Sequence, residues 1–95
     1  MNFAMFPTDK GVSVSPFVAK IIEVVRSRGF ENQLTAMGTL VETDTLDEAL
    51  SVISEAYNVL ESDSERVYVS LNLDIKKGPK GRIKSKVASV EDKLK

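Results

Sequence analysis

Apolar residues along this 95-residue chain follow two rhythms, every second position in some stretches and every third or fourth in others. Asn2 to Pro7 alternates as a strand, closed by its own proline and the polar run Thr8-Asp9-Lys10-Gly11. From Val14 the spacing lengthens: Val14, Phe17, Val18, Ile21, Ile22 and Val25 share one helical face. Ser15-Pro16 reads as the start of that helix, with serine at the N-cap and proline at the first helical position, and Gly29 as its C-terminal stop. Gln33 to Met37 and Thr39 to Thr43 form the arms of a hairpin, with Gly38 expected to supply the backbone freedom for the reversal.

A second helix opens at Thr45-Leu46-Asp47-Glu48, a capping box with glutamate three residues after the capping threonine. Its apolar stripe is Leu46, Ala49, Leu50, Ile53, Ala56, Tyr57 and Leu60, and Ser62-Asp63-Ser64 ends it. Arg66 to Ile75 alternates again, with Val67, Val69, Leu71, Leu73 and Ile75 on one side and Tyr68, Ser70, Asn72 and Asp74 on the other. After the turn Gly78-Pro79-Lys80-Gly81, residues Ile83, Val87, Val90 and Leu94 outline a short terminal helix. The order βαββαβ plus a C-terminal helix predicts one α+β domain over residues 1–95. Right-handed crossovers fold that order into a ferredoxin-like, four-stranded antiparallel sheet with two helices on one face. The other face is left to water or a partner.

Composition removes whole classes of chemistry. The chain has no cysteine and no histidine, so disulfides, thiolate sites, zinc catalysis and any Ser-His-Asp arrangement are excluded. An apolar share of 42% is ordinary for a globular domain, and no apolar run approaches a membrane span. With no signal peptide at Met1 to Phe6, a cytoplasmic protein with no membrane partner is expected. The net charge of −1 conceals a division: residues 76–95 carry eight basic against two acidic side chains, a net +6, and residues 1–75 carry the compensating −7. The basic segment either contacts nucleic acid, is solvated, or packs on an acidic surface of the same oligomer.

The open sheet face shows a single aromatic residue on the last strand, Tyr68, beside Ser70, Asn72 and Asp74. A base-stacking domain of this topology needs more aromatics there, so no nucleic acid partner is expected and a subunit interface is. The loop after the first strand offers only Lys10, without the arginine that a phosphate-cleaving domain of this fold would need. Glu42, Asp44, Asp47 and Glu48 suit a helix N-terminus electrostatically. What is left for recognition is Ser13, Ser15, Thr35, Met37, Gly38 and Thr39: hydroxyls and a soft thioether grouped at a helix start and a hairpin.

Those segments carry a resemblance. Ser13-Val-Ser-Pro-Phe17, Leu34-Thr-Ala-Met-Gly-Thr39, Arg66-Val67 and the basic run Lys76 to Arg82 leading to Lys86-Val-Ala-Ser-Val-Glu91 resemble, in that order, the thiamine-binding-domain family of small ferredoxin-like proteins. Ala36 departs from the proline usual between the threonine and the methionine. The resemblance implies binding of thiamine or its hydroxymethylpyrimidine half without turnover, no catalytic residue, no metal, no cofactor beyond that ligand, and a homotetramer built as a dimer of dimers. It implies ligand contacts from Ser13, Ser15, Thr35, Met37, Gly38 and Thr39, with apolar contact from Met37 and Phe6 or Phe17, and lesser ones from Asn72 and Asp74. The alternative of a different class is a structural or regulatory homo-oligomeric module with no small-molecule ligand.

Overall fold

Strand β1 (Asn2–Pro7) is one of the two inner strands of the sheet and pairs on both sides. A computed structural model of the chain describes residues 1–11, 14–77 and 82–94. Its remaining elements are α1 (Ser15–Ser27), β2 (Glu31–Thr35), β3 (Gly38–Glu42), α2 (Leu46–Glu61), β4 (Val67–Asn72) and α3 (Arg82–Lys93). The four antiparallel strands lie in the order β2-β3-β1-β4, the ferredoxin-like arrangement expected from the order of elements. β1 pairs with β4 along its whole length, from Asn2↔Asn72 to Pro7↔Val67, and with β3 through Asn2↔Leu40 and Phe3↔Thr39.

This register separates two faces. Phe3, Met5 and Pro7 are buried beneath the helices, while Asn2, Ala4 and Phe6 turn to the open face. Ile21, Ile22 and Val25 of α1 and Ala49, Val52, Ala56 and Leu60 of α2 complete the core. Each large side chain so buried contributes about 1.5–3 kcal/mol. The α2 stripe is rotated from the expected one. Val52 is fully buried, whereas Leu46, Leu50 and Tyr57 are exposed on the helix flank.

The caps separate what local signals can decide from what they cannot. Glu48 N donates to Thr45 Oγ1 at 3.1 Å, and Thr45 N donates to Glu48 Oε1 at 3.0 Å, closing the expected capping box. At α1 the cap is displaced by one residue: Val14 is the N-cap with no side-chain hydrogen bond, Ser15 is the first helical residue and Pro16 the second. A proline without an N–H is tolerated anywhere in the first turn, so it does not by itself fix the starting residue. Gly29 follows the C-cap Arg28 with φ +76°, the left-handed conformation that ends α1. β2 and β3 lie at 31–35 and 38–42 rather than 33–37 and 39–43, and β4 stops at Asn72, three residues short of Ile75. Leu73 and Ile75 are exposed, so the alternation continues past the end of the paired strand. The turn at 78–81 lies outside the described residues.

One polar clip ties the two loops at the hairpin end of the sheet. Asp9 accepts a hydrogen bond from the Glu65 backbone N–H at 2.9 Å, and Thr8 N donates to Arg66 O at 2.9 Å. The Glu65 N–H, helped by nearby Lys10, holds the Asp9 carboxyl below its ordinary value of 3.8 against a smaller opposing effect of desolvation. A carboxylate with a depressed folded value contributes stability above its unfolded value and loses it as pH falls through the folded one. Asp9→Asn is therefore expected to lower the melting temperature near neutral pH, with the gap to the parent protein closing as pH is taken below 3.8. A gap that stays constant down that range in thermal denaturation would refute the clip.

Candidate functional site

Of the sequence-predicted residues, Ser15, Thr35, Met37, Gly38 and Thr39 lie at one end of the sheet. β1 runs towards this end, α1 starts there, and the β2–β3 hairpin turns there. Thr35 opposes Gly38, leaving Ala36 and Met37 as a two-residue loop. Thr35 organises that loop: its Oγ1 donates to Gly38 O at 2.8 Å and accepts from Met37 N at 3.2 Å. Met37 stands at the tip, 87% exposed. A thioether so placed contributes little to the core and offers a flexible apolar contact.

Gly38 has a different role from the expected one. Positive φ occurs only at Gly11 and Gly29 among the described residues, so the reversal does not use left-handed backbone at Gly38. The reason for glycine is crowding. A Cβ there would lie 2.7 Å from Asn2 Oδ1 and 3.0 Å from the Phe3 carbonyl oxygen. Asn2 Oδ1 is itself buried without a hydrogen-bond partner, pressed against this bare stretch of β3. The missing side chain lets β1 and β3 close up beside the hairpin.

The other candidates divide between layers. Thr39, only 5% exposed, faces the helices with Phe3, on the opposite side of the sheet from Thr35 and Gly38. Ser15 is exposed at the first turn of α1, where no side chain caps the backbone. Phe17 packs partly against the core and carries Lys20 Nζ 5.8 Å from its ring centre. Ser13 lies outside the described residues. Asn72 and Asp74 are exposed at the far end of the sheet, and Lys86 Nζ donates to Asp74 Oδ2 at 3.4 Å.

Two features escaped the sequence reading. Phe6 lies on the open face and packs against Tyr68, ring centres 5.3 Å apart and planes inclined at 35°. Tyr68 is thus not alone there, because the alternation of β1 that buries Met5 sends Phe6 outward. The register Phe3↔Thr39 carries the hairpin tip towards this aromatic pair. The second feature is a cleft of about 790 Å³ at the opposite end, between the ends of β3 and β4, the start of α2 and one face of α3. Leu40, Leu46, Leu73, Ile75, Val87 and Val90 are among its lining residues. It falls within the size range of small-molecule sites. It depends on where α3 settles, which no local pattern encodes.

Among the described residues no group of three or more acidic, histidine or cysteine side chains could hold a metal ion, and no helix is long and apolar enough to cross a membrane. The site offers hydroxyls, backbone groups, a thioether and aromatic rings. Such a set is able to match a ligand by shape and hydrogen-bond pattern.

A family model described as "Thiamine-binding protein" matches residues 1–91. The chain belongs to this family. Relatives in the family are similar over most of their length. The UPF0045 protein MJ1052 of Methanocaldococcus jannaschii is 37% identical, covering 92% of this chain and 86% of the relative. A UPF0045 protein of Methanothermobacter thermautotrophicus is 32% identical, covering 86% and 84%. UPF0045 protein Mb1933 of Mycobacterium bovis is 34% identical, covering 94% and 87%. The crystal structure of MJ1052, described as a hypothetical protein, matches with a TM-score of 0.85 at 35% identity, covering 96% of this chain and 93% of that one. Protein SP2199 of Streptococcus pneumoniae, at 16% identity and a TM-score of 0.70, covering 98% and 92%, shares the fold.

The crowding at Gly38 gives a direct test of how the hairpin is held. Gly38→Ala is expected to destabilise the protein by about 1–3 kcal/mol, the usual cost of overpacking. Adding Asn2→Ala removes the nearer obstacle, leaving the Phe3 carbonyl, and should recover part of that loss in urea denaturation. If the double variant is no more stable than Gly38→Ala alone, the Asn2 contact is not what demands glycine.

Proposed function

We propose that this chain binds thiamine or its hydroxymethylpyrimidine half at the hairpin end of the sheet, and does not transform it. The single observation that carries this reading is the match of residues 1–91 to a family described as thiamine-binding. The structure supports the place. An aminopyrimidine presents donors and acceptors around a flat ring, to which Thr35, Ser15 and the backbone beside Gly38 offer matching groups; Ser13 is added on the family resemblance alone. Met37 and the Phe6–Tyr68 pair supply apolar and aromatic contact for the ring and for a thiazolium cation. Thr39, buried on the helix side, serves by fixing β3. The role is that of a carrier, buffer or sensor in the cytoplasm. The titratable pair at this end, Asp9 and Lys10, is engaged in the clip between loops, with Asp9 accepting from the Glu65 N–H.

Self-assembly belongs to the same reading. The open face carries Phe6, Leu40, Tyr68, Ser70 and Asn72, an area mixed enough in polarity to bury between subunits of a homotetramer. A second reading is favoured by the cleft at the other end, whose size suits a ligand in its own right. A module that assembles without any ligand is the alternative from a different class.

Calorimetry with thiamine and with hydroxymethylpyrimidine separates these. Binding of one or both is expected, and Met37→Ala should weaken it roughly five- to tenfold while leaving thermal stability unchanged, since Met37 is exposed. Heat that is indifferent to Met37→Ala but abolished by Val87→Asp would move the site to the cleft. No heat and no thermal shift from either compound would leave the assembly module as the function.

A further inference from the structure

α3 stands off from the body of the protein on its apolar side. Ile83, Val87 and Val90, spaced 4 and 3, share one face of this helix and line the cleft at the end of the sheet away from the hairpin tip. Across the gap lie Leu46 at the start of α2 and Leu73 and Ile75 beyond β4. A closed helix–sheet contact would bury both sets, yet Val87 is 55%, Val90 54% and Leu73 42% exposed. Two exposed ion pairs tether the helix: Lys84 Nζ lies 3.4 Å from Glu31 of β2, and Lys86 Nζ lies 3.4 Å from Asp74. Pairs of this kind are weak, so the distance between the walls is free to follow a guest. Apolar walls held apart in water favour whatever apolar body fills the space between them.

Two properties of the lining define that body. The apolar part is aliphatic, and none of the described lining residues is aromatic. A flat ring gains from aromatic faces, which the Phe6–Tyr68 pair offers at the other end of the sheet and this cleft does not. A flexible hydrocarbon chain needs only apolar walls of sufficient length. The charged part of the lining has carboxylates in excess. Glu42, Asp44, Asp74 and Glu91 stand against Lys76, Lys86 and the Met1 ammonium, which donates to Val41 O at 3.0 Å. Lys86 is matched by Asp74. Glu91 lies one turn beyond Val87 on the α3 wall and enters no ion pair among the described residues.

We propose that this cleft is a second binding site, for an unbranched aliphatic chain that carries a cationic head. The chain lies between the apolar face of α3 and the wall formed by Leu46, Leu73 and Ile75, and the head meets the carboxylate of Glu91 at the rim. The burial of methylenes supplies affinity, and the carboxylate excess selects the sign of the head. This goes beyond the thiamine reading. It concerns the opposite end of the sheet and a different class of ligand, and it does not depend on thiamine being bound.

The test is calorimetry of the full chain with hexyl-, octyl- and decyltrimethylammonium, each below its micelle concentration. Affinity should rise roughly three- to fourfold with each added methylene. Val87→Asn should weaken octyltrimethylammonium roughly five- to tenfold, and Glu91→Gln about threefold. Both side chains are exposed, so thermal stability should be unchanged in either variant. Octanoate should bind more weakly than octyltrimethylammonium, and saturating thiamine should not displace it. Affinity indifferent to chain length, or to Val87→Asn, would overturn a guest between these walls. Octanoate bound as tightly would move the head to Lys76 and overturn the cationic preference. Displacement by thiamine would overturn a separate site and place thiamine in the cleft. Binding of the alkylammonium without any binding of thiamine would uphold this site while the thiamine reading fails.

Discussion

The double pairing of β1 is the constraint on which the rest of this structure depends. Its two neighbours, β3 and β4, are joined to it by antiparallel ladders, and the alternation of its six residues sorts the whole sheet into faces. Phe3, Met5 and Pro7 anchor both crossover helices from below. The same alternation sends Asn2 against Gly38 and Phe6 against Tyr68. Slipping β1 by one residue would exchange these sets, exposing the core and burying Asn2 and Phe6. The hairpin, the aromatic pair and the helix start are thus held at one end by the pairing of this strand.

That arrangement fits the binding role proposed for it. The hairpin is stiffened by the Thr35 hydroxyl, which bridges the loop, and by the close passage of β1 beneath Gly38. A preformed wall of this kind lowers the ordering cost of binding. Charge is present nearby, in Asp9 and Lys10, but Asp9 is engaged with the Glu65 N–H and serves the join between loops. Around the tip the groups are neutral donors, neutral acceptors and polarizable apolar surface. Under the proposed function, these are the groups that would meet a flat heteroaromatic ring.

Much of the fold was legible in the sequence, and the limits have physical reasons. β1 and the α2 capping box are announced by residues that interact with near neighbours, so their signals are local and their positions agree with the structure. The start of α1 was displaced because a proline in the first turn is compatible with more than one N-cap. β4 was overextended because Leu73 and Ile75 continue a rhythm whose pairing partner, β1, has ended. At the candidate site the hairpin and its threonine were legible. The reason for Gly38 was not, since it lies in a contact with Asn2, 36 positions away in the chain. The burial of Thr39 and the placement of Phe6 on the open face follow from register, and the cleft beneath α3 follows from tertiary placement. The surplus apolar row of α2 was present in the sequence as part of one broad stripe, and only the structure separates the half that the fold uses from the half that it leaves open.

The most direct test of the central claim, that the hairpin end is where ligand is recognised, is a residue-resolved NMR titration of the protein with thiamine. Backbone amide shifts concentrated at Thr35 to Gly38 and Ser15 to Phe17, with Tyr68 following, are the predicted result. Shifts concentrated instead at Thr43 to Leu46 and Val87 to Val90 would place the ligand in the opposite cleft and contradict the account.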